Sequence, residues 1–147
     1  MPEHIFTVAA RGHVIDAQTN TLTLFCVIEQ LGGPVLPLRA PELCVITLWG
    51  RRAGEEDVQF VERVLIRRPD DSEALHVDLT FRLEKPRIRT VAGIAGLPIE
   101  QIGRYCIEVL LRRADCDAWG APVAQYPIEV SLTSPKGSAG LFESGRE

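Results

Sequence analysis

Hydrophobic and polar residues alternate along much of the chain, and this period of two is the pattern of β-strands with one buried face. The clearest example is residues 74–84, in which polar residues separate the apolar positions Leu75, Val77, Leu79, Phe81 and Leu83. One face of this strand is therefore predicted to pack on the core while the other meets water. The same pattern predicts further strands at 4–11, 21–29, 43–49, 58–66, 103–111 and 123–132, a continuation of the first run at 87–91, and a short edge strand at 35–38.

The segment from residue 55 to residue 66 fits two patterns. Acidic residues at its start, Arg67 and Arg68 just after it, and apolar residues spaced by three and four are typical of a helix. The β-branched residues and the tight turns on both sides favour a strand over 58–66. We predict the strand, with the helix as the alternative.

Glycine and proline residues interrupt these runs at short intervals and mark the turns between strands. About seven strands whose alternating faces must all be buried predict an all-β protein, an antiparallel β-sandwich that forms a single domain over residues 4–132. Pro127 cannot donate a hydrogen bond to a neighbouring strand, so the last strand is predicted to lie at an edge or to carry a bulge. Residues 133–147 have little apolar content and are predicted to be disordered.

The segment 103–111 makes the fold prediction more specific. A glycine, Gly103, precedes Tyr105, and apolar residues follow at every second position. A Gly-x-Tyr start is typical of the sixth strand of immunoglobulin-like sandwiches, in which the tyrosine hydroxyl bonds to backbone a few residues upstream. We therefore expect an immunoglobulin-like sandwich in which Tyr105 makes this contact.

The layout resembles that of small bacterial proteins of unknown function that carry an immunoglobulin-like β-sandwich. The matching features span most of residues 5–132: the strand start Thr21-Leu22-Thr23-Leu24, a proline-rich loop before residue 43, the Gly54-Glu55 hairpin, the Arg68-Pro69-Asp70 turn and the Gly-x-Tyr strand. The resemblance implies a fold and no activity. In antibody domains a cysteine stands two residues after the tyrosine, but here that residue is Ile107, so the inter-sheet disulfide is not expected.

Composition and charge limit which classes of partner are expected and in which compartment the protein is expected to act. The net charge of −4 argues against nucleic acid, whose binding depends on concentrated positive charge. A cytoplasmic protein that makes no membrane contact is expected, because neither a leader pattern nor a run of about 18 apolar residues is visible. The four cysteines and three histidines lack metal-ligand spacing, so reduced thiols and no cofactor are expected.

The sequence shows no catalytic motif. Neither a nucleophile elbow, a phosphate-binding loop nor a dinucleotide fingerprint is present. We therefore predict a non-catalytic protein, with an enzyme whose residues come from distant parts of the chain as the remaining alternative.

Acidic residues cluster in the predicted turns. If the simple seven-strand topology holds, three loops at one end of the sandwich bring together Asp70, Asp71, Asp115 and Asp117, with Glu42 nearby. Carboxylates from several loops form calcium sites, so a small-ligand or calcium-binding sandwich is the alternative function. Aspartate is also favoured in turns for its local backbone bonds, and nearby arginines would neutralise these acids, which we prefer as the explanation.

The same predicted end carries residue types that are enriched in protein interfaces. They are Trp119, Arg67, Arg68, Arg112 and Arg113. The strands at 43–49 and 58–66 also hold more apolar positions than one buried face needs, including Val61 and Leu65, and such a surface often meets a second copy. The leading prediction is a binding or assembly module whose partner is another protein or a second copy in a homodimer.

Overall fold

The computed structural model describes residues 1–133, so all but the first residue of the predicted tail lies outside the described residues. The described chain is all-β. Its eleven strands are β1 (Glu3–Ile15), β2 (Leu22–Val27), β3 (Gln30–Gly33), β4 (Leu38–Arg39), β5 (Leu43–Gly50), β6 (Gln59–Arg67), β7 (Glu73–Arg82), β8 (Arg87–Ile94), β9 (Pro98–Ile99), β10 (Gly103–Arg113) and β11 (Ala124–Leu132). Residues 1–133 contain no helix that could cross a membrane.

Two sheets form a sandwich, which confirms the predicted all-β sandwich, although β3 runs parallel to β11 and not antiparallel. The first sheet has the order β2-β1-β5-β8, the second has the order β3-β11-β10-β6-β7, and β4 pairs with β9 in a small third sheet. The prediction of about seven strands is wrong in number. The segment 59–67 is strand β6, so its helical alternative is wrong.

Strand number exceeds the prediction because short strands form outside the predicted runs: β3 and β9 lie where no strand was predicted, and β4 lies at the end of the short edge strand expected at 35–38. The run predicted at 21–29 forms β2 only as far as Val27; Ile28 then enters the core, and the chain continues beyond the predicted run as β3 of the second sheet. Strands β7 and β8 likewise belong to different sheets, separated by the turn that contains Pro86. Alternation of polarity shows which face is buried but not which sheet a strand joins.

The core lies between the two sheets and has two neighbouring clusters. The larger cluster joins β5 of the first sheet to β6 and β10 of the second through Leu43, Val45, Ile66, Tyr105 and Ile107. The smaller cluster lies at the other end of these strands and contains Trp49, Phe60, Leu83, Val109 and Leu111. These clusters therefore mark two ends of the sandwich, which we call the Leu43 end and the Trp49 end.

The β1–β2 hairpin covers apolar residues on the outer face of the first sheet. Leu22 and Leu24 pack against a buried cluster of Ala10, Cys44 and Ile46. The hairpin tip is tied to β8, because Arg89 donates hydrogen bonds to the side chain and the backbone carbonyl of Asn20. The outward apolar positions of β5 are thus buried within the chain.

One local prediction is confirmed, and a second holds only in part, because β11 lies between β3 and β10 and is not an edge strand over its whole length. The Tyr105 hydroxyl accepts backbone hydrogen bonds from Glu100 (3.2 Å) and Gln101 (3.3 Å), so it bonds upstream as expected. Pro127 pairs with Cys106 of β10, whereas β3 pairs with β11 only from Glu129 onward. Pro127 therefore occupies the stretch of β11 that has one partner strand.

Candidate functional site

Trp119 lies against two arginines on the outer face of the second sheet. The guanidinium carbons of Arg63 and Arg112 are 4.6 Å and 4.8 Å from the centre of the indole ring. Arg63 projects from β6 and Arg112 from β10, and Arg112 pairs with Val61, two residues before Arg63. Attraction between a guanidinium and the face of an indole holds the turn between β10 and β11 on the sheet.

Both arginines have further partners. Arg63 donates two bonds to the Asp78 carboxylate, at 2.8 Å and 2.9 Å, which fixes its guanidinium plane. The hydrogen bond to Asp78 raises the pKa of Arg63 and lowers that of Asp78. Arg112 donates to the carbonyl of Cys116 at 2.6 Å, while its buried Nε atom has no hydrogen-bond partner among the described residues. We call Trp119, Arg63, Arg112 and Asp78 the Trp119 cluster.

The outward positions of β6 are not a free apolar surface. Val61 and Leu65 are only 9% and 6% exposed, although they alternate with the core residues Phe60, Val64 and Ile66. The expectation that this surface offers exposed apolar residues to a second copy is therefore wrong for these two side chains.

The predicted arginines do not share one end of the sandwich. Strands β6 and β10 are antiparallel neighbours, with Arg67 opposite Cys106 and Arg113 opposite Phe60. Arg67 and Arg68 thus lie near the Leu43 end, and Arg112 and Arg113 near the Trp49 end. The prediction of one shared end is wrong because it assumed a different pairing of these strands.

Each of the remaining predicted arginines already has a local partner. Arg67 donates to Glu108 at 2.7 Å, and Arg68 donates to the carbonyl of Glu73 at 2.7 Å. Arg113 forms an exposed ion pair with Asp115 at 3.2 Å. Of the five predicted binding residues, the structure therefore brings together only Trp119 and Arg112, and adds Arg63, which the sequence did not single out.

The predicted acidic site is divided in the same way. Asp70 and Asp71 follow β6, whereas Asp115 and Asp117 follow β10 at the opposite end. Asp70 accepts hydrogen bonds from Ser72 and Gln101, which use both of its oxygens. Within residues 1–133 no three His, Cys, Asp or Glu side chains are placed to hold a metal ion. The premise of a shared calcium site is therefore wrong.

All four cysteines are free thiols. Cys44 is buried, Cys106 is partly exposed, and Cys26 and Cys116 are exposed. Burial is the main cause that raises the thiol pKa of Cys44 and of Cys106, which makes both poor nucleophiles at neutral pH.

A buried carboxyl group forms a second polar cluster, inside the core. Glu62 on β6 is completely buried, and its Oε1 accepts hydrogen bonds from Trp49 Nε1 and Thr90 Oγ1, both at 2.6 Å. Its Oε2 has no hydrogen-bond partner among the described residues. Burial is the main cause that raises the pKa of Glu62, and the bonds from Thr90 and Trp49 partly oppose it.

Polar side chains continue from this carboxyl group towards the N-terminus. Thr47 is opposite Thr90 in the first sheet, and its hydroxyl lies 3.1 Å from that of Thr7. The Thr7 hydroxyl in turn lies 2.7 Å from His4 Nε2. Burial lowers the pKa of His4. Buried carboxyl groups with shifted pKa values occur both in active sites and in structural networks. In this protein, both residues that donate hydrogen bonds to Glu62 lie in the opposite sheet.

Comparisons with known proteins add little. No protein-family model and no curated protein matches the chain. Among solved structures, the soluble domain of PmoD from Methylocystis sp. ATCC 49242 (Rockwell) is similar over 87% of this chain and 96% of its own. The sequence identity is 12% and the TM-score is 0.37, and we draw no functional inference from this similarity.

Proposed function

We propose that this protein is a non-catalytic binding module that recognises a protein partner through the Trp119 cluster. The observation that carries the proposal is the position of Trp119, which lies partly exposed on a sheet face against Arg63 and Arg112 instead of in the core. Tryptophan and arginine are the residues most often found at the energetic centres of protein interfaces.

The arrangement suits binding because it is already ordered. Asp78 fixes Arg63, and carbonyl bonds fix Arg112, so little side-chain entropy is lost when a partner covers the cluster. The ion pair of Arg63 with Asp78 supplies polar groups beside the indole, as at the rim of a protein interface. A partner with an acidic or carbonyl-rich surface and an apolar centre matches this chemistry.

The proposal includes the immunoglobulin-like fold implied by the resemblance and the location and partner classes expected from the sequence pattern and charge. The module is taken to be an immunoglobulin-like sandwich that acts in the bacterial cytoplasm and binds neither nucleic acid nor membrane. Loops carried by a rigid sandwich are a common means of binding, and the segment between β10 and β11 is such an element. The separation of Asp70 from Asp115 removes the support for a calcium-binding alternative.

The test compares three tagged proteins for capture of partners from cells that express the protein. They are the unchanged chain, Trp119→Ala, and Val123→Ala as a control at an exposed apolar position of the same turn. We expect at least tenfold depletion of specific partners with Trp119→Ala and no change with Val123→Ala. Equal melting temperatures of the three would show that folding is not the cause. A partner set that survives Trp119→Ala unchanged would refute the proposal.

A further inference from the structure

The edges of the two sheets differ in how they are protected. Natural sheets blunt an edge with charged residues or by keeping the edge strand short, because unpaired backbone groups would otherwise pair with another chain. The edge strand β7 carries Glu73, Asp78 and Arg82, and the edge strand β8 carries Arg87 and Arg89. The remaining edge of the second sheet is β3, with only four residues.

The edge strand β2 has no charged residue, although its regular extended part, residues 22–25, is as short as β3. It is six residues long, and its sequence Leu-Thr-Leu-Phe-Cys-Val contains no charge and no proline. In the described part of the chain it pairs with β1 alone. Its free edge thus has unpaired backbone donors and acceptors and lacks the charges and prolines that often prevent association.

Exposed apolar side chains accompany this free edge. Phe25 and Val27 of β2 are 49% and 47% exposed, and Val14 of β1 is 52% exposed. Val14 and Phe25 lie on one face of the hairpin, since Val14 pairs with Thr23 and Phe25 with Gly12. The other face is occupied, because Leu22 and Leu24 pack on the first sheet. An apolar patch therefore extends to the open edge of β2.

We propose that β2 pairs antiparallel with β2 of a second copy of this chain, so that two first sheets join into one continuous sheet. A two-fold axis makes each strand its own partner, and any charge in β2 would then approach the same charge. The complete absence of charge in β2 makes this strand compatible with itself. The same axis places the two apolar patches side by side across the joined edge.

The proposed contact is small, which sets its expected strength. Cys26 has a positive φ of 52°, so the regular extended backbone of β2 ends at Phe25 and pairing is confined to residues 22–25. A stable interface usually buries about 800 Å² on each partner, and a contact of four residues buries less than that. We therefore expect a reversible dimer with a dissociation constant on the order of 10–100 μM. This surface is separate from the Trp119 cluster, so either proposal can fail without the other.

The test measures dimerisation by sedimentation velocity from about 1 μM to 1 mM. Thr23→Lys and Phe25→Lys each place a charge at an exposed position of β2, and each is expected to weaken the dimer at least tenfold. Thr80→Lys, at an exposed position of the charged edge β7, is the matched control and should leave the dimer unchanged. Melting temperatures equal to that of the unchanged chain would show that all three variants fold.

Hydrogen exchange identifies the contact directly. Raising the protein concentration through the dimerisation range should slow amide exchange at residues 22–25 and leave β7 unaffected. A chain that stays monomeric at 1 mM would overturn the proposal. So would a dimer that both β2 variants leave intact, or concentration-dependent protection at another strand without protection of β2.

Discussion

Trp49 and Glu62 join the two sheets of the sandwich through a hydrogen bond of 2.6 Å from the indole Nε1 to the carboxyl Oε1. Trp49 lies on β5 in the first sheet and Glu62 on β6 in the second. Thr90 on β8 donates a further bond to the same oxygen. Hydrophobic contacts have no preferred direction, whereas these bonds form only when the sheets are correctly aligned. The buried carboxyl group therefore helps to specify how the sheets pack.

Glu62→Gln is expected to change the dependence of stability on pH. Since the pKa of Glu62 is raised on folding, its contribution to stability is fully present below the unfolded value of about 4.3 and is lost as pH rises through the folded pKa. Between the unfolded and the folded pKa of Glu62, the free energy of unfolding falls by up to about 1.4 kcal/mol per pH unit. Glutamine keeps an oxygen acceptor for Trp49 and Thr90 and cannot ionise. The variant should therefore be more stable than the unchanged chain at pH 8.

Urea unfolding from pH 4.5 to pH 8.5 measures this difference. Glu56→Gln, at an exposed position of the turn before β6, is the control and should follow the unchanged chain throughout. Parallel pH profiles for Glu62→Gln and the unchanged chain would show that Glu62 does not take up a proton on folding.

The sequence contains a signal for Glu62 that strand prediction alone does not use. Glu62 falls in the same alternating phase as Phe60, Val64 and Ile66, so a carboxylate stands where a core residue is expected. Its partners could not be predicted, because Trp49 is 13 residues away and Thr90 is 28 residues away in the sequence. Alternation predicts burial, whereas contacts between sheets depend on how the strands are arranged.

The position of the Trp119 cluster was unpredictable for a related reason. The residue types at Trp119 and Arg112 predict binding, but the simple seven-strand topology does not make β6 and β10 the antiparallel neighbours that they are. Their actual pairing places Arg63 beside Trp119 and moves Arg67 to the other end. The residue types that suit binding can therefore be predicted from the sequence, whereas the strand pairing that brings them together cannot.

Tyr105→Phe is expected to destabilise the chain modestly while preserving its fold. The substitution removes the acceptor for the backbone N–H groups of Glu100 and Gln101 and leaves the buried ring in place. The bonds are long, so a cost of about 1 kcal/mol is expected. Urea unfolding measures the loss of unfolding free energy, and hydrogen exchange should become faster at the amides of Glu100 and Gln101. If neither quantity changes, the tyrosine hydroxyl has no role in holding this loop.

Gly103→Ala is expected to cost more than Tyr105→Phe. Gly103 has a φ of +126°, a region that residues with a Cβ atom rarely adopt, and an added Cβ would lie 3.2 Å from Pro69 Cβ. Backbone strain of this kind costs about 1–3 kcal/mol. Gly93→Ala is a matched control in β8, where an added Cβ would meet no atom within 4 Å. Equal unfolding free energies for the two variants would contradict the assignment of strain to Gly103.

Asp70→Asn is expected to reduce the loss of stability in acid. The Ser72 hydroxyl, the Ser72 backbone N–H and the Gln101 amide lower the pKa of Asp70 to about 2. A depressed pKa stabilises the folded chain above the unfolded value of about 3.9, and this contribution is lost as pH falls towards 2. The melting temperature of the variant should thus fall less steeply than that of the unchanged chain between pH 5 and pH 1.5.

Asp71→Asn is the control, because asparagine tolerates the φ of 69° at this position. An unchanged acid slope in Asp70→Asn, or an equal change in Asp71→Asn, would show that the hydrogen bonds of Asp70 do not couple its titration to folding.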